Sequence, residues 1–310
     1  ADGLRLRAQL LAKGRRLPEL IRLLRAKLAS RPADHLARRV MARLMFHAGD
    51  PRAALEECLR IPVERRSAGV LALVASCFIE LGDKSRALSV LESGIRRSPR
   101  SVELRLVRVS FAIQLGDTAT AIGDLDAVLA QDPDHLEALE LRATLHFKAR
   151  RWREAAVDGV RRLRHEPPPQ PGFEGIVGRA LLRRDPEAAV PVMRADCQRR
   201  GQLPVAWFGY GQALVAVARF DDAITALTRA LLLDPCGVPP LVLLGDCYAR
   251  RAARRAAGPE RDGDLAESLR LFEIAFSLGY SDWSSLWADA PAILRKDPRF
   301  EALVERFRGG

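Results

Sequence analysis

The spacing of proline and alanine constrains the fold of this chain more than any other feature. Prolines recur at intervals of 34 residues at Pro99, Pro133 and Pro167, and Pro235 follows after a double interval. A fixed period of this length is typical of repeated helix pairs, each of which buries its apolar face only against its neighbours. The period therefore predicts an all-α solenoid. Alanines follow the same interval at Ala87, Ala121, Ala155, Ala189 and Ala223.

The residues within one period indicate the type of repeat. The repeat that begins at Pro204 has small residues where paired helices must approach closely and large residues where they must fill gaps. This pattern resembles the tetratricopeptide repeat (TPR) family, and the resemblance covers nearly the whole chain. It implies about eight helix–turn–helix repeats in a right-handed superhelix. The residues that carry it in this repeat are Trp207, Gly211, Leu214, Ala223, Leu227, Ala230 and Pro235.

The repeats are expected to form one continuous array over residues 1–310, because each repeat contacts only its neighbours. The turn of the last repeat is longer than the other turns by about eleven residues, and we expect these to form a loop inserted at 251–263. The predicted repeats lie near 1–34, 35–67, 68–101, 102–135, 136–169, 170–203, 204–237 and 238–280, with a helical cap at 281–310.

Two local features refine this pattern. Turns between paired helices are predicted at Gly49-Asp50, Gly82-Asp83 and Gly116-Asp117, because glycine suits the end of one helix and aspartate caps the start of the next. In the repeat from Val102, however, Arg105 and Arg108 stand where the TPR pattern expects apolar residues.

The C-terminal segment resembles a narrower group. The run from Leu278 to Trp283, followed by Asp297-Pro298-Arg299-Phe300, resembles the closing block of bacterial TPR proteins called the end-of-group segment. A solenoid needs a cap on its last apolar face. The side chains expected to supply the cap are Trp283, Leu286, Trp287, Phe300 and Leu303.

Positive charge is concentrated near the N-terminus. The chain has a net charge of +11, and residues 1–66 alone hold 16 basic and seven acidic residues. Within this region, Leu17–Leu28 has the pattern of a basic amphipathic helix. Its apolar face is expected to pack as the second helix of the first repeat, and contact with an anionic membrane surface is the alternative.

Several kinds of site are not expected. The five cysteines include no Cys-x-x-Cys pair and the histidines are scattered, so we expect buried free thiols in a reducing compartment, no metal and no cofactor. The basic cluster Lys148–Arg153 is diluted by Glu154 and Asp158, so no nucleic acid is expected. The chain contains no asparagine, so it cannot assemble the clamp by which chaperone-binding TPR domains hold a C-terminal carboxylate.

The TPR resemblance implies a binding surface. In that family the first helix of each repeat, helix A, lines a concave groove through positions near 2, 5, 9 and 12. The ligand expected there is an amphipathic helix or an acidic segment of a protein partner, with the arginines binding its carboxylates. The candidate partner-binding residues are Arg5, Arg39, Arg43, Phe46, Ile79, Leu106, Ile113, Phe147, Phe208, Gln212 and Val215.

The function expected is a non-enzymatic scaffold or adaptor in the cytoplasm, with no small-molecule substrate. Two alternatives stay open. The chain could be a structural or assembly subunit of a larger complex, including one at a membrane, or the regulatory TPR region of a multidomain signalling enzyme such as a kinase. A cell-envelope or periplasmic location is the alternative if a leader was removed before Ala1.

Overall fold

Helices form nearly all of the regular structure. The computed structural model describes residues 17–166 and 168–308. Within these ranges it contains 18 α-helices and no strand, and 78% of the structure is helical. The all-α fold class predicted from the 34-residue period is therefore confirmed. Residues 1–16, which include the predicted site residue Arg5, lie outside the described part.

The chain divides into two compact units, residues 1–138 and 139–310. The single continuous array expected from the sequence stays a prediction. The helices of the first unit are α1 (Leu17–Ser30), α2 (His35–His47), α3 (Pro51–Leu59), α4 (Ala68–Glu80), α5 (Lys84–Arg97), α6 (Val102–Leu115) and α7 (Thr118–Leu129), with a 3-10 turn at Val63–Arg65.

The second unit continues the alternation of paired helices. α8 (Leu136–Lys148) spans the boundary between the units, and three short helices close the chain. The remaining helices are α9 (Trp152–Leu163), α10 (Phe173–Leu182), α11 (Pro186–Arg200), α12 (Pro204–Ala216), α13 (Phe220–Leu233), α14 (Val238–Arg254), α15 (Pro259–Ser277), α16 (Trp283–Asp289), α17 (Ala292–Arg295) and α18 (Pro298–Arg308).

The predicted Gly-Asp turns join the paired helices of the first unit. Gly49, Gly82 and Gly116 have φ of +83°, +79° and +75°, a left-handed conformation that glycine adopts without steric cost. The carboxylate of the following aspartate accepts a backbone N–H three residues later, as Asp50 does from Ala53 at 2.9 Å. Because both ends of the turn are satisfied locally, the sequence alone was sufficient to place these turns.

Alanines and glycines with the 34-residue spacing lie where paired helices approach most closely. At Gly211 on α12, an added Cβ would come within 2.7 Å of the Leu227 side chain on α13. Small residues at these positions therefore set the distance between the two helices of a pair. The alanines with no exposed surface include Ala54, Ala87, Ala121, Ala155, Ala189 and Ala223.

The arginines that break the apolar pattern on α6 are held by one buried carboxylate. Asp124 on α7 accepts from Arg105 Nη1 at 2.6 Å and from Arg108 Nε and Nη2 at 2.6 and 2.7 Å. Arg105 also donates through Nη2 to the carbonyl oxygen of Pro99 at 3.0 Å. The ion cluster thus replaces an apolar contact between the paired helices, and it links them to the end of the preceding repeat.

The same arrangement recurs in the preceding part of the first unit. Arg38, at the same repeat position as Arg105, donates to Glu57 on α3 at 2.8 Å and to the carbonyl oxygen of Pro32 at 3.1 Å. In the second unit Trp207 occupies this position, and its indole N–H donates to the carbonyl oxygen of Gly201 at 2.9 Å. In these three repeats the fourth position therefore carries a donor that binds the end of the preceding repeat, whether the side chain is Arg or Trp.

The apolar face of α1 packs inside the first unit. Leu24 is buried with Met41 and Leu44 of α2, and Leu20 and Ile21 pack against this cluster. The apolar face of this basic amphipathic helix therefore packs against α2, while its place as the second helix of a first repeat stays a prediction. Leu23 points away from the cluster and is 59% exposed.

The C-terminal helices cover the end of the second unit. Leu286, Leu294 and Phe300 are buried with Phe272 and Phe276 of α15. Trp287 stacks on Phe300 with a centroid distance of 5.5 Å. The cap predicted from these aromatic residues therefore forms, while the placement of the Trp283 side chain lies outside the described part.

The loop predicted at 251–263 is wrong, because most of these residues are helical. α14 continues to Arg254 and α15 begins at Pro259, so only residues 255–258 connect the two helices. Arg251 donates to Asp264 of α15 and to Asp221 of α13 at 2.6 and 2.7 Å. The insertion therefore lengthens a helix pair, and its arginines bind carboxylates of neighbouring helices.

Candidate partner-binding surface

The predicted groove residues of the first unit lie on three successive A helices. Helices α2 and α4 are in contact, as are α4 and α6, so these A helices lie side by side. Their apolar candidates are all partly buried and none is fully enclosed. The candidates are Arg39, Arg43 and Phe46 on α2, Ile79 on α4, and Leu106 and Ile113 on α6.

One of the two predicted arginines already has an intramolecular partner. Arg43 Nη2 donates to Glu103 Oε1 of α6 at 2.7 Å, and both side chains remain about two-fifths exposed, at 40% and 43%. This pair passes over α4 at Gly69, where an added Cβ would come within 2.6 Å of Glu103 Oε2. Residues of three A helices therefore meet at this point, and the positive charge of Arg43 is balanced.

Arg39, unlike Arg43, makes no ion pair with any residue that the structure describes. It lies one helical turn before Arg43 on the same helix and is partly buried. Within residues 17–166 and 168–308, no hydrogen bond or ion pair involves its guanidinium. Leu36, three residues earlier, is exposed. Arg39 is therefore a cation beside apolar surface whose charge the described residues leave unbalanced.

The predicted residue Phe147 of the second unit is covered. The guanidinium of Arg179 lies over its ring at 5.2 Å, and Trp152 packs against it edge-on at a centroid distance of 5.2 Å. Burial lowers the pKa of Arg179 below its ordinary value. Phe147 therefore contributes mainly to packing within the unit.

Two other predicted residues line a cavity in the second unit. Phe208 and Gln212 of α12 form part of its wall, and the cavity measures about 360 Å³. Val215 is not among the lining residues and instead packs against the core of this unit. The remaining lining residues are Val238, Pro239, Val242, Leu243, Asp246 and Arg250 of α14, Tyr280, and Ser285, Leu286 and Asp289 of α16.

The polar wall of this cavity joins α14 to the cap. Arg250 Nε donates to Asp246 Oδ2 at 2.6 Å, and Arg250 Nη2 donates to the backbone carbonyl oxygen of Asp289 at 3.1 Å. Burial raises the pKa of Asp246, and the nearby Asp289 raises it further, while the hydrogen bond from Arg250 opposes the shift. Burial likewise raises the pKa of Tyr280. A partly buried carboxylate thus faces an apolar cavity with a single cation beside it.

The α14 side of this cavity was not among the residues predicted from the sequence. The repeat positions that selected Phe208 and Gln212 also select Val242 and Asp246 when counted from Val238, and position 2 of the same repeat is Pro239. The 34-residue pattern could therefore have found these residues. No such rule gives Leu286 or Asp289, because the cap lies beyond the last repeat.

The described residues contain neither a candidate metal site nor a candidate membrane-spanning helix. No group of three or more His, Cys, Asp or Glu side chains there is placed to hold a metal ion. None of the helices in this part of the chain combines the length and apolar character that crossing a membrane requires.

Comparison with known proteins identifies the repeat type. A family model described as "Tetratricopeptide repeat" matches residues 108–171. The chain resembles the crystal structure of YrrB, described as a TPR protein with an unusual peptide-binding site, with a TM-score of 0.54 and 16% identity over 64% of this chain and 96% of that one. It also resembles the C-terminal part of a TPR repeat-containing protein from Cytophaga hutchinsonii, with a TM-score of 0.58 and 14% identity over 78% of this chain and 99% of that one. No curated protein matches the sequence.

Proposed function

We propose that this chain, which has a TPR-like fold and matches the tetratricopeptide-repeat model over residues 108–171, is a non-enzymatic scaffold or adaptor that binds a segment of a partner protein on its A helices. The observation that carries this proposal is Arg39, a partly buried cation with no ionic or hydrogen-bonding partner among the described residues. Its guanidinium can therefore donate hydrogen bonds to a carboxylate of a ligand. An acidic side chain of a bound segment would supply the missing partner.

The surroundings of Arg39 favour a protein ligand. Leu36 and Phe46 lie on the same helix, so a segment that brings a carboxylate to Arg39 can also cover apolar surface. An amphipathic helix or an extended acidic segment has this combination. YrrB, whose fold this chain shares, is described as having a peptide-binding site, which is consistent with the proposal.

The pairing of Arg43 limits its role in binding. Its charge is balanced by Glu103, so a ligand carboxylate at Arg43 would have to compete with a bond already formed. We therefore assign the charge-specific contact to Arg39, and we assign Arg43 to holding α2 and α6 together across Gly69.

The proposed location is the cytoplasm. It is supported by the five cysteines, all of which are free thiols, because disulfides are typical of oxidising compartments.

The proposal is tested by affinity capture from the source organism with the wild-type chain, Arg39→Glu and Arg52→Glu. Arg52 is exposed at the start of α3, so Arg52→Glu makes the same charge change on the second helix of a repeat, away from the A helices. We expect one partner to be lost with Arg39→Glu and retained with Arg52→Glu. A partner retained by both variants would contradict the site and favour a subunit that docks through another surface.

A further inference from the structure

We propose that the cavity between α12, α14 and α16 binds a lysine or arginine side chain of a partner protein. This inference rests on the proposed function, because the side chain belongs to a protein that the scaffold binds.

The size and lining of the cavity fit one long side chain. A volume of about 360 Å³ is at the lower end of the range of about 300–1,000 Å³ found for ligand pockets. Phe208, Val238, Val242 and Leu286 supply apolar walls. The methylene stem of lysine or arginine can bury against such walls while its charged end reaches polar groups.

The charges of the lining favour a cation. Asp246 and Asp289 are carboxylates and Arg250 is the one guanidinium among the lining residues, which gives a net charge of −1. Arg250 is also engaged on both sides, through Nε to Asp246 and through Nη2 to the Asp289 carbonyl oxygen. An anionic ligand would meet two carboxylates and an arginine that is already bonded, whereas a cation would balance the site.

The low exposure and raised pKa of Asp246 agree with a cationic ligand. Its side chain is only 16% exposed, and burial outweighs its bond to Arg250 in setting the direction of its pKa shift. A second positive charge near Asp246 would stabilise the ionised carboxylate. A bound ammonium or guanidinium group supplies that charge.

The position of the cavity points to a partner protein as the source of the cation. Phe208 and Val242 hold the same repeat position as Arg39, and Gln212 and Asp246 hold the same position as Arg43. The cavity is therefore built from the A-helix positions that the TPR resemblance assigns to partner binding. The cap adds Leu286 and Asp289 to its wall.

The chemistry of the site can be tested without the partner. The probes are 4-phenylbutylamine, 4-phenylbutanoate and 4-phenylbutanol, which share one apolar body and differ in charge. Binding to the full chain is measured by ligand-observed saturation-transfer NMR at neutral pH. We expect the amine to bind at least tenfold more tightly than the butanoate, with the alcohol between them.

Three variants locate the binding. Val242→Phe fills the cavity and should abolish amine binding, while Asp246→Asn and Asp289→Asn should each weaken it severalfold without changing the cavity's shape. Glu301→Gln, an exposed carboxylate on α18, is the matched control and should leave binding unchanged. Circular dichroism confirms the fold of each variant, and the two Asn variants keep the test valid if Val242→Phe does not fold.

The outcomes separate this inference from the proposed function. Equal or tighter binding of the butanoate, amine binding that persists in Val242→Phe, or no binding of the amine would overturn the cavity assignment, and partner capture through Arg39 would be unaffected. If the amine binds as expected but capture is independent of Arg39, the proposed function fails, and with it the assignment of the cation to a partner protein.

Discussion

At the scale of single residues, charge partners decide which arginines are structural and which are available. Arg105 and Arg108 violate the apolar pattern of the repeat, yet Asp124 binds both and is only 2% exposed. Arg39 and Arg43 were both selected by their repeat position, yet among the described residues only Arg43 has an ionic partner. The sequence could not predict this difference, because Glu103 lies 60 residues away from Arg43 along the chain.

The carboxylate of Asp124 should contribute strongly to the stability of the first unit. Asp124→Ala leaves two partly buried guanidinium groups without their anion, which costs about 3 kcal/mol. Urea titration followed by circular dichroism measures the loss. Asp126→Ala, an exposed aspartate on the same helix, is the control and should cost at most about 1 kcal/mol. Equal losses for the two variants would contradict the structural role of Asp124.

The cysteines should differ sharply in reactivity. Burial raises the pKa of Cys58, Cys197 and Cys247 to about 12 and that of Cys77 to about 11, whereas Cys236 is exposed. Because the thiolate is the reactive form, we expect iodoacetamide at neutral pH to label Cys236 alone in the native protein. Peptide mass spectrometry reads the result, and the guanidinium-unfolded chain is the control, in which all five should react. Native labelling of Cys58 or Cys247 would show that those helices open readily.

At the scale of helices and turns, local sequence signals predicted the Gly-Asp turns correctly, whereas the loop predicted at 251–263 was wrong. The Gly-Asp turns were predicted correctly because a left-handed glycine and a capping aspartate are satisfied by residues next to them. The loop expected at 251–263 is helical because Arg251 and Arg255 both bind Asp264, and Arg254 stacks over Phe220 at 4.5 Å. These contacts are tertiary, so the local sequence does not reveal them.

The lengthened helix pair should therefore resist proteolysis. We expect brief trypsin digestion to spare the bonds after Arg250, Arg251 and Arg254, since a protease needs an unfolded segment. Asp264→Ala removes the shared anion and should expose these bonds. Asp262→Ala, an exposed neighbour on α15, should behave like the wild type. Rapid cleavage of the wild-type chain after Arg251 would instead support the loop.

At the scale of the whole molecule, the fold followed from the sequence and much of the binding surface did not. A repeat applies one packing rule many times, so a 34-residue period was sufficient to predict an all-α TPR fold. The cavity in the second unit depends on α16, which follows the last repeat and has no counterpart in the period. Its acidic lining also differs from the chain's net charge of +11, so overall composition gives no indication of it.

The most direct test of the account is the affinity of the captured partner for three forms of the chain, measured by fluorescence anisotropy. Losing a hydrogen bond between charged groups costs about 1.5–3 kcal/mol, which corresponds to a dissociation constant raised by about tenfold or more. The account predicts this loss for Arg39→Glu, none for Arg52→Glu, and weaker wild-type binding at high salt. Equal affinity of all three forms would contradict partner binding through Arg39 on the A helices.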